Sequence, residues 1–295
     1  MNIILLFLVV PLSVSLAWAS DAQVQPPRPR VLNLDHVAVK STDMSASVAF
    51  YCNFLGFAEL GRKNLKGDSD RLQFVYLKIN EDQRFEIFNG ALLNPKEDRL
   101  YQIALHVEDA TAVRVWLVEH GFGNAKGSVA RGQSAYFVVN DPHGYHIEVI
   151  EHLPEGRALQ RQVKLRPEMR VVECLVSARA AADDGVAALR FYQEVLGFPE
   201  LSRVPAANGQ PERIRLQMQA STDTVELVLA GQTTPHFTLA VADAVKAKDR
   251  LEHSAYYPTY GKPVDIVIGD DHRRRINLLD PMGIEVELVE IPAAP

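Results

Sequence analysis

Hydrophobic positions along the chain switch between two periods. HVAVKS at 36–41 alternates toward an apolar strand. Asp43 follows as an N-cap, because its carboxylate can accept the free N–H groups of a first helical turn. Met44, Val48, Tyr51 and Leu55 then recur at steps of four, three and four, which is one apolar helix face. Gly56 can take the left-handed conformation that ends such a helix. Asp109, Val113, Leu117 and Gly121 repeat the scheme, and so do Tyr192, Leu196 and Gly197. Strand-like runs come after each helix: LQFVYLKI and RFEIFN in the first case, AYFVV and YHIEVIE in the second.

Two longer phrases recur. FYCNFLGF at 50–57 is echoed by FYQEVLGF at 191–198, and DPHGYHIEVIE at 141–151 by DPMGIEVELVE at 280–290. Nearly equal spacings imply two homologous halves. Each half divides again, since HVAVKSTD (36–43), QIALHVED (102–109), ECLVSARA (173–180) and HFTLAVAD (236–243) each open a quarter. The third opener fits less well, and ARAAADDG there reads as an insertion beside the strand. The pattern predicts an α+β fold of four βαβββ units, about 31–90, 99–152, 169–230 and 235–291. The DPHG and DPMG turns join the last two strands of their units, with Pro where φ is already fixed.

Composition changes this picture little. The chain has 295 residues, 47% hydrophobic and 23% charged, enough for two domains with sizeable cores. A net charge of −6 argues against non-specific nucleic-acid binding. Residues 1–19 carry no charged side chain, and their apolar run ends in Ala17-Trp18-Ala19, a small-x-small cleavage pattern. We read 1–19 as a signal peptide and 20–30 as a Pro-rich leader. The expected location is therefore periplasmic or secreted, with no stable membrane span after processing. The domains are then 31–152 and 169–291, joined by a charged linker at 153–168. Cys52 and Cys174 are too few for a disulfide framework and read as small buried hydrophobes.

Four βαβββ units in two pairs resemble the vicinal oxygen chelate superfamily, the group of glyoxalases, extradiol dioxygenases and bleomycin-resistance proteins. The residues that carry the resemblance are HVAVKSTD, FYCNFLGF, DPHGYHIEVIE, FYQEVLGF, HFTLAVAD and DPMGIEVELVE. It implies that each pair curls into a half-open barrel around a metal or ligand. It also implies ligands at the start of each unit's first strand and in its last strand.

In the first half those positions hold His36, Gln102, Glu86 and Glu148. One imidazole with oxygen donors suits a divalent Ni, Zn, Mn or Fe ion. The resemblance then implies a glyoxalase-type lyase or isomerase acting on a small molecule with vicinal oxygens. Glu148 or Glu86 would be the base and His36 the firmest ligand. In the second half the set is Glu173, Glu226, His236 and Glu287, which marks a second site of less usual composition. Any one such Glu, flanked by apolar neighbours, is also what a half-buried strand shows on its wet face. Four donors at equivalent points of a repeat are what favour a site. His106 and His146 share strand faces with Gln102 and Glu148, and Lys40 shares one with His36, so all three are expected to line the first-half pocket. The two imidazoles would change charge near neutral pH. An alternative reading is a metal-free binding or resistance-type protein. The dioxygenase reading is weaker, because Val138 and Asn277 stand where that branch has a Tyr. A monomer or a homodimer is expected.

Overall fold

A computed structural model describes residues 27–92, 99–125, 129–132, 134–229, 235–269 and 271–291. The expected signal peptide and most of the leader lie outside the described residues. Four βαβββ units are present. The first runs β1 (Val31–Ser41), α1 (Met44–Ala49), β2 (Ala58–Leu65), β3 (Asp68–Lys78) and β4 (Arg84–Asn89). The second runs β5 (Leu100–Val107), α2 (Ala110–Glu119), β6 (Ala130–Arg131), β7 (Ser134–Asn140) and β8 (His146–His152). A connecting helix α3 (Pro154–Gln162) leads to the third unit: β9 (Cys174–Ala182), α4 (Gly185–Leu189), β10 (Glu200–Val204), β11 (Glu212–Gln217) and β12 (Thr224–Leu229). The fourth comprises β13 (His236–Val241), α5 (Ala244–Glu252), α6 (Tyr257–Tyr260), β14 (Ile266–Ile268), β15 (Arg274–Leu279) and β16 (Glu285–Glu290).

The units pair as expected into two curled eight-stranded sheets. Their orders are β2-β3-β4-β1-β5-β8-β7-β6 and β10-β11-β12-β9-β13-β16-β15-β14. Within each half the two first strands run antiparallel at the centre, and each is parallel to its own unit's last strand. Alternation then sorts the side chains. Val37, Val39, Phe85, Ile87, Ile103, Leu105, Ile147 and Val149 are buried on the core face, and the donors fall on the other. Among the described residues no helix is long and apolar enough to cross a membrane.

The repeated phrases serve the contact between halves. Asp43 caps α1 as expected, accepting from Ala46 N, and Asp184 caps α4 in the same way. Both helices then widen, at 50–54 and 190–195, into a π turn instead of continuing as one regular helix. Tyr51, fully buried, donates to Asp280 of the DPMG turn at 2.9 Å. Tyr192 donates to Asp141 of the DPHG turn at 3.1 Å. Each half's helix end is thus bonded to the other half's turn. Phe85 and Phe237 bring the two core faces together, with ring centres 5.4 Å apart, and one apolar core runs through both halves.

The connection between the halves is ordered, and the expected insertion in the third unit is absent. Within the linker at 153–168, Pro154–Gln162 is helical and docked. Lys78, fully buried, donates to the carbonyls of Gln160 and Val163 at 2.9 Å each. Gly56 has φ +84°, and a Cβ there would fall 2.1 Å from the Met169 carbonyl, so the connection presses on the helix end. The stretch ARAAADDG is not an insertion. Thr224 pairs with Ser177 where Arg84 pairs with His36, so SARAAADD, not ECLVSARA, corresponds to HVAVKSTD. An Ala-rich strand has too little contrast between its faces to reveal its register.

Candidate functional site

His36, Glu86, Gln102 and Glu148 converge on the concave face of the first sheet. Ala38 lies in register with both Glu86 and Gln102, and Ala104 with both His36 and Glu148. Four adjacent strands therefore bring the four donors to one level. His36 Nε2 lies 3.6 Å from Glu86 Oε2, 3.9 Å from Glu148 Oε2 and 3.4 Å from the Gln102 amide nitrogen. That amide donates to Glu148 Oε2 at 2.6 Å. All four side chains are largely buried, and His36 completely so.

A second layer fixes the imidazole. Asp35 Oδ1 lies 2.6 Å from His36 Nδ1 and accepts from Arg84 at 2.8 Å. Its other oxygen meets His152 Nε2. With Nδ1 engaged, Nε2 is the nitrogen presented to the two carboxylates. Burial opposes ionisation of Asp35, but Arg84 and the hydrogen bonds from His152 and His36 outweigh it and hold the carboxyl well below the usual range. Burial likewise opposes protonation of His36. Glu86, Asp35 and Glu148 reverse that and push the imidazole up to about 9. Burial is the largest influence on Glu148 and pushes it up, against the pull of His36 and with added repulsion from Glu86. Tyr76, in register with Glu86, is pushed up by burial and then by the two glutamates. The cluster is rich in negative charge for a buried place, a condition that favours protons or a cation.

The residues fit a divalent ion in donor chemistry: one oriented imidazole, two carboxylates and an amide. As arranged, no three His, Cys, Asp or Glu side chains among the described residues form a closed metal cage. The Gln102 nitrogen instead lies against both His36 and Glu148. Nitrogen and oxygen of an amide exchange by a flip, and the oxygen is the donor a cation would take.

The other expected pocket residues divide. Lys40 sits 5.8 Å over the Tyr101 ring, and Tyr101 contacts His146 at 4.9 Å, so these two line one end of the cleft. His106 lies at the other end, 3.2 Å from Asn33 and 4.6 Å from the His152 ring. Burial, with His152 adding to it, pushes His106 down to about 4, so it does not change charge near neutral pH as expected.

The second half does not reproduce the site. Ser177 holds the place of His36, and Glu173 is exposed before β9 begins, outside the cluster. Glu226 accepts from Arg179 at 2.7 Å, and Glu287 accepts from Arg275 at 2.6 Å. His236 contacts Thr238 at 3.0 Å and Glu285 at 3.3 Å. Guanidinium ions here already neutralise the carboxylates that a metal would need.

Sequence reasoning missed Asp35, Arg84, His152 and the arginines. Strict alternation sends Asp35 to the opposite face from His36, but the pairing of β1 with β5 shifts register between Leu34 and His36 and brings both to one cluster. Arg213 and Arg215, two apart on β11, share a strand face by their spacing alone.

Residues 33–149 and 175–288 each match the Glyoxalase/Bleomycin resistance protein/Dioxygenase superfamily. A lactoylglutathione lyase of Salmonella typhimurium is 31% identical over 134 residues, which are 43% of this chain and 98% of that protein. Among solved structures, a catechol 2,3-dioxygenase superimposes with a TM-score of 0.66 at 15% identity, covering 90% of this chain and 96% of that one. The Mn(II)-bound glyoxalase from Novosphingobium aromaticivorans gives 0.65 at 16% identity, covering 89% and 83%.

Proposed function

Since the chain belongs to the glyoxalase/bleomycin resistance protein/dioxygenase superfamily, matched in both halves, we propose that it is a metal-dependent, glyoxalase-type lyase or isomerase with its one active site in the first half. The observation that carries this reading is the convergence of His36, Glu86, Glu148 and Gln102 at one level of the first sheet, whereas the equivalent carboxylates of the second half, Glu226 and Glu287, are bonded to Arg179 and Arg275. In this reading the protein acts in the periplasm or outside the cell, as its first 19 residues lead one to expect.

His36 Nε2, Glu86, Glu148 and the Gln102 oxygen would hold a divalent Ni, Zn, Mn or Fe ion. Such an ion supplies Lewis acidity to two adjacent substrate oxygens. Asp35 keeps the His36 ring in one orientation and tautomer. Glu148 is suited to move a proton between neighbouring carbons of a small substrate. Lys40, over the Tyr101 ring, would meet the substrate at that end of the cleft.

Metal analysis of the purified full chain tests the reading. One ion per chain is expected, with thermal stabilisation on adding Ni, Zn, Mn or Fe. His36→Ala should lose the ion about 100-fold or more in affinity while staying folded, whereas His236→Ala keeps it. A chain with neither metal nor metal-dependent stabilisation would overturn the enzyme reading in favour of a metal-free binding protein.

A further inference from the structure

The concave face of the second half has chemistry of its own. Alternation lines up Arg213 and Arg215 of β11 with Arg179 of β9 and Arg275 of β15 on that face. The corresponding register positions in the first half hold Phe74, Tyr76, Ala38 and Tyr136. Four residues that are apolar or aromatic in one half are therefore all arginine in the other.

Their partners are unevenly shared. Arg275 is bonded to Glu287 and to Asp271, at 2.6 Å each. On the other wall three guanidiniums gather on one carboxylate. Glu226 accepts from Arg179 at 2.7 Å and lies 3.8 Å from Arg215 and 4.0 Å from Arg213. Glu285, 4.0 Å from Arg179, is itself 3.3 Å from His236. The Arg213 and Arg215 side chains make no hydrogen bond among the described residues, and Arg215 Nε is buried without a partner. Their side chains are 41% and 38% exposed, so both are open to solvent in part. Residues two apart on a strand are about 7 Å apart, a span one oxyanion can bridge between two long side chains.

We propose that the second-half cleft is an anion site. It takes a small molecule through a carboxylate or phosphate group held by Arg213 and Arg215, with Arg179 and Glu226 as the fixed wall behind. The site is separate from the metal centre and stands whether or not the first half is catalytic. Its role is to hold an anionic ligand in a barrel whose own carboxylates, Glu226 and Glu287, are paired with guanidinium.

Calorimetry on the full chain, freed of metal on a chelating resin and at low ionic strength, tests this with inorganic phosphate and with succinate as probes. At least one probe should bind with a dissociation constant below about 1 mM, weakening steeply with salt. Preference between the two tells phosphate from carboxylate ligands. Arg213→Gln/Arg215→Gln should lose at least tenfold in affinity while keeping the wild-type melting temperature, and Arg213→Gln alone should lose part of that. His36→Ala should bind the probe unchanged. The proposal is overturned if neither probe binds by about 10 mM, if the arginine variants bind as the wild type does, or if His36→Ala abolishes binding.

Discussion

The first and second halves carry the same strands in the same order and share much of their register, yet their concave faces differ in kind. In the first, four donors surround a point and the neighbouring positions are Ala38, Phe74, Tyr76 and Tyr136. In the second, those neighbours are arginines and the carboxylates are already paired. The core faces hold the fold and the interlock, so they tolerate little change. The concave faces bear no such load and differ in chemistry. A single exchange illustrates this, because Ala38 and Arg179 stand beside the equivalent residues Glu86 and Glu226. Beside Ala38, Glu86 has no guanidinium from that strand and lies 3.6 Å from the His36 imidazole; beside Arg179, Glu226 is bonded to a guanidinium at 2.7 Å.

The largest effect should come from moving that exchange across. Ala38→Arg places a guanidinium next to Glu86, and the first half is expected to lose metal affinity at least 100-fold, read by metal content after dialysis. The comparison breaks if the variant keeps its ion as tightly as the wild type. Arg179→Ala should not create a metal site in return, since Ser177 offers no imidazole.

Next in size is the interlock. Tyr51→Phe and Tyr192→Phe each leave a buried carboxylate without its phenol, and each is expected to cost on the order of 1–2 kcal/mol in urea unfolding. Both variants should still unfold in one transition, because one core spans both halves. Two separate transitions would show that the halves are independent.

The smallest effect concerns a mirrored pair of contacts. Leu175 N donates to Gln83 Oε1 at 2.7 Å, and Leu34 N donates to Asp223 Oδ2 at 2.9 Å, at equivalent positions. Only the second pair titrates. Burial pushes Asp223 up to about 6, above its value in an unfolded chain. The folded state therefore binds this proton more tightly, and stability falls as pH rises from about 4 through about 6. Asp223→Asn keeps an acceptor for Leu34 and removes the titration. It should gain about 1–2 kcal/mol over the wild type at pH 7 and little at pH 4. A pH-independent difference would mean that Asp223 does not carry the asymmetry.

Legibility followed the strength of the local pattern. Long apolar alternations, caps and the LGF helix ends located the four units, because each rests on neighbours in the chain. His36, Glu86, Gln102 and Glu148 were readable as equivalent points of a repeat. The third opener was misplaced by four residues because β9 is alanine on both faces, and Glu173 was assigned to the site in consequence. Asp35 was hidden by a register shift that no period of two anticipates.

By itself, the chain's order of residues determined its units, their pairing and the face on which His36, Glu86, Gln102 and Glu148 sit, since these follow from periodicity and turn chemistry within short spans. Only the tertiary structure decided which carboxylates are open and which are filled. That depends on residues from different strands, Arg179 against Glu226 and Arg275 against Glu287, whose separation in sequence carries no trace of their meeting in space. The same holds for the bonds of Tyr51 to Asp280 and Tyr192 to Asp141, which join the repeated phrases across the two halves.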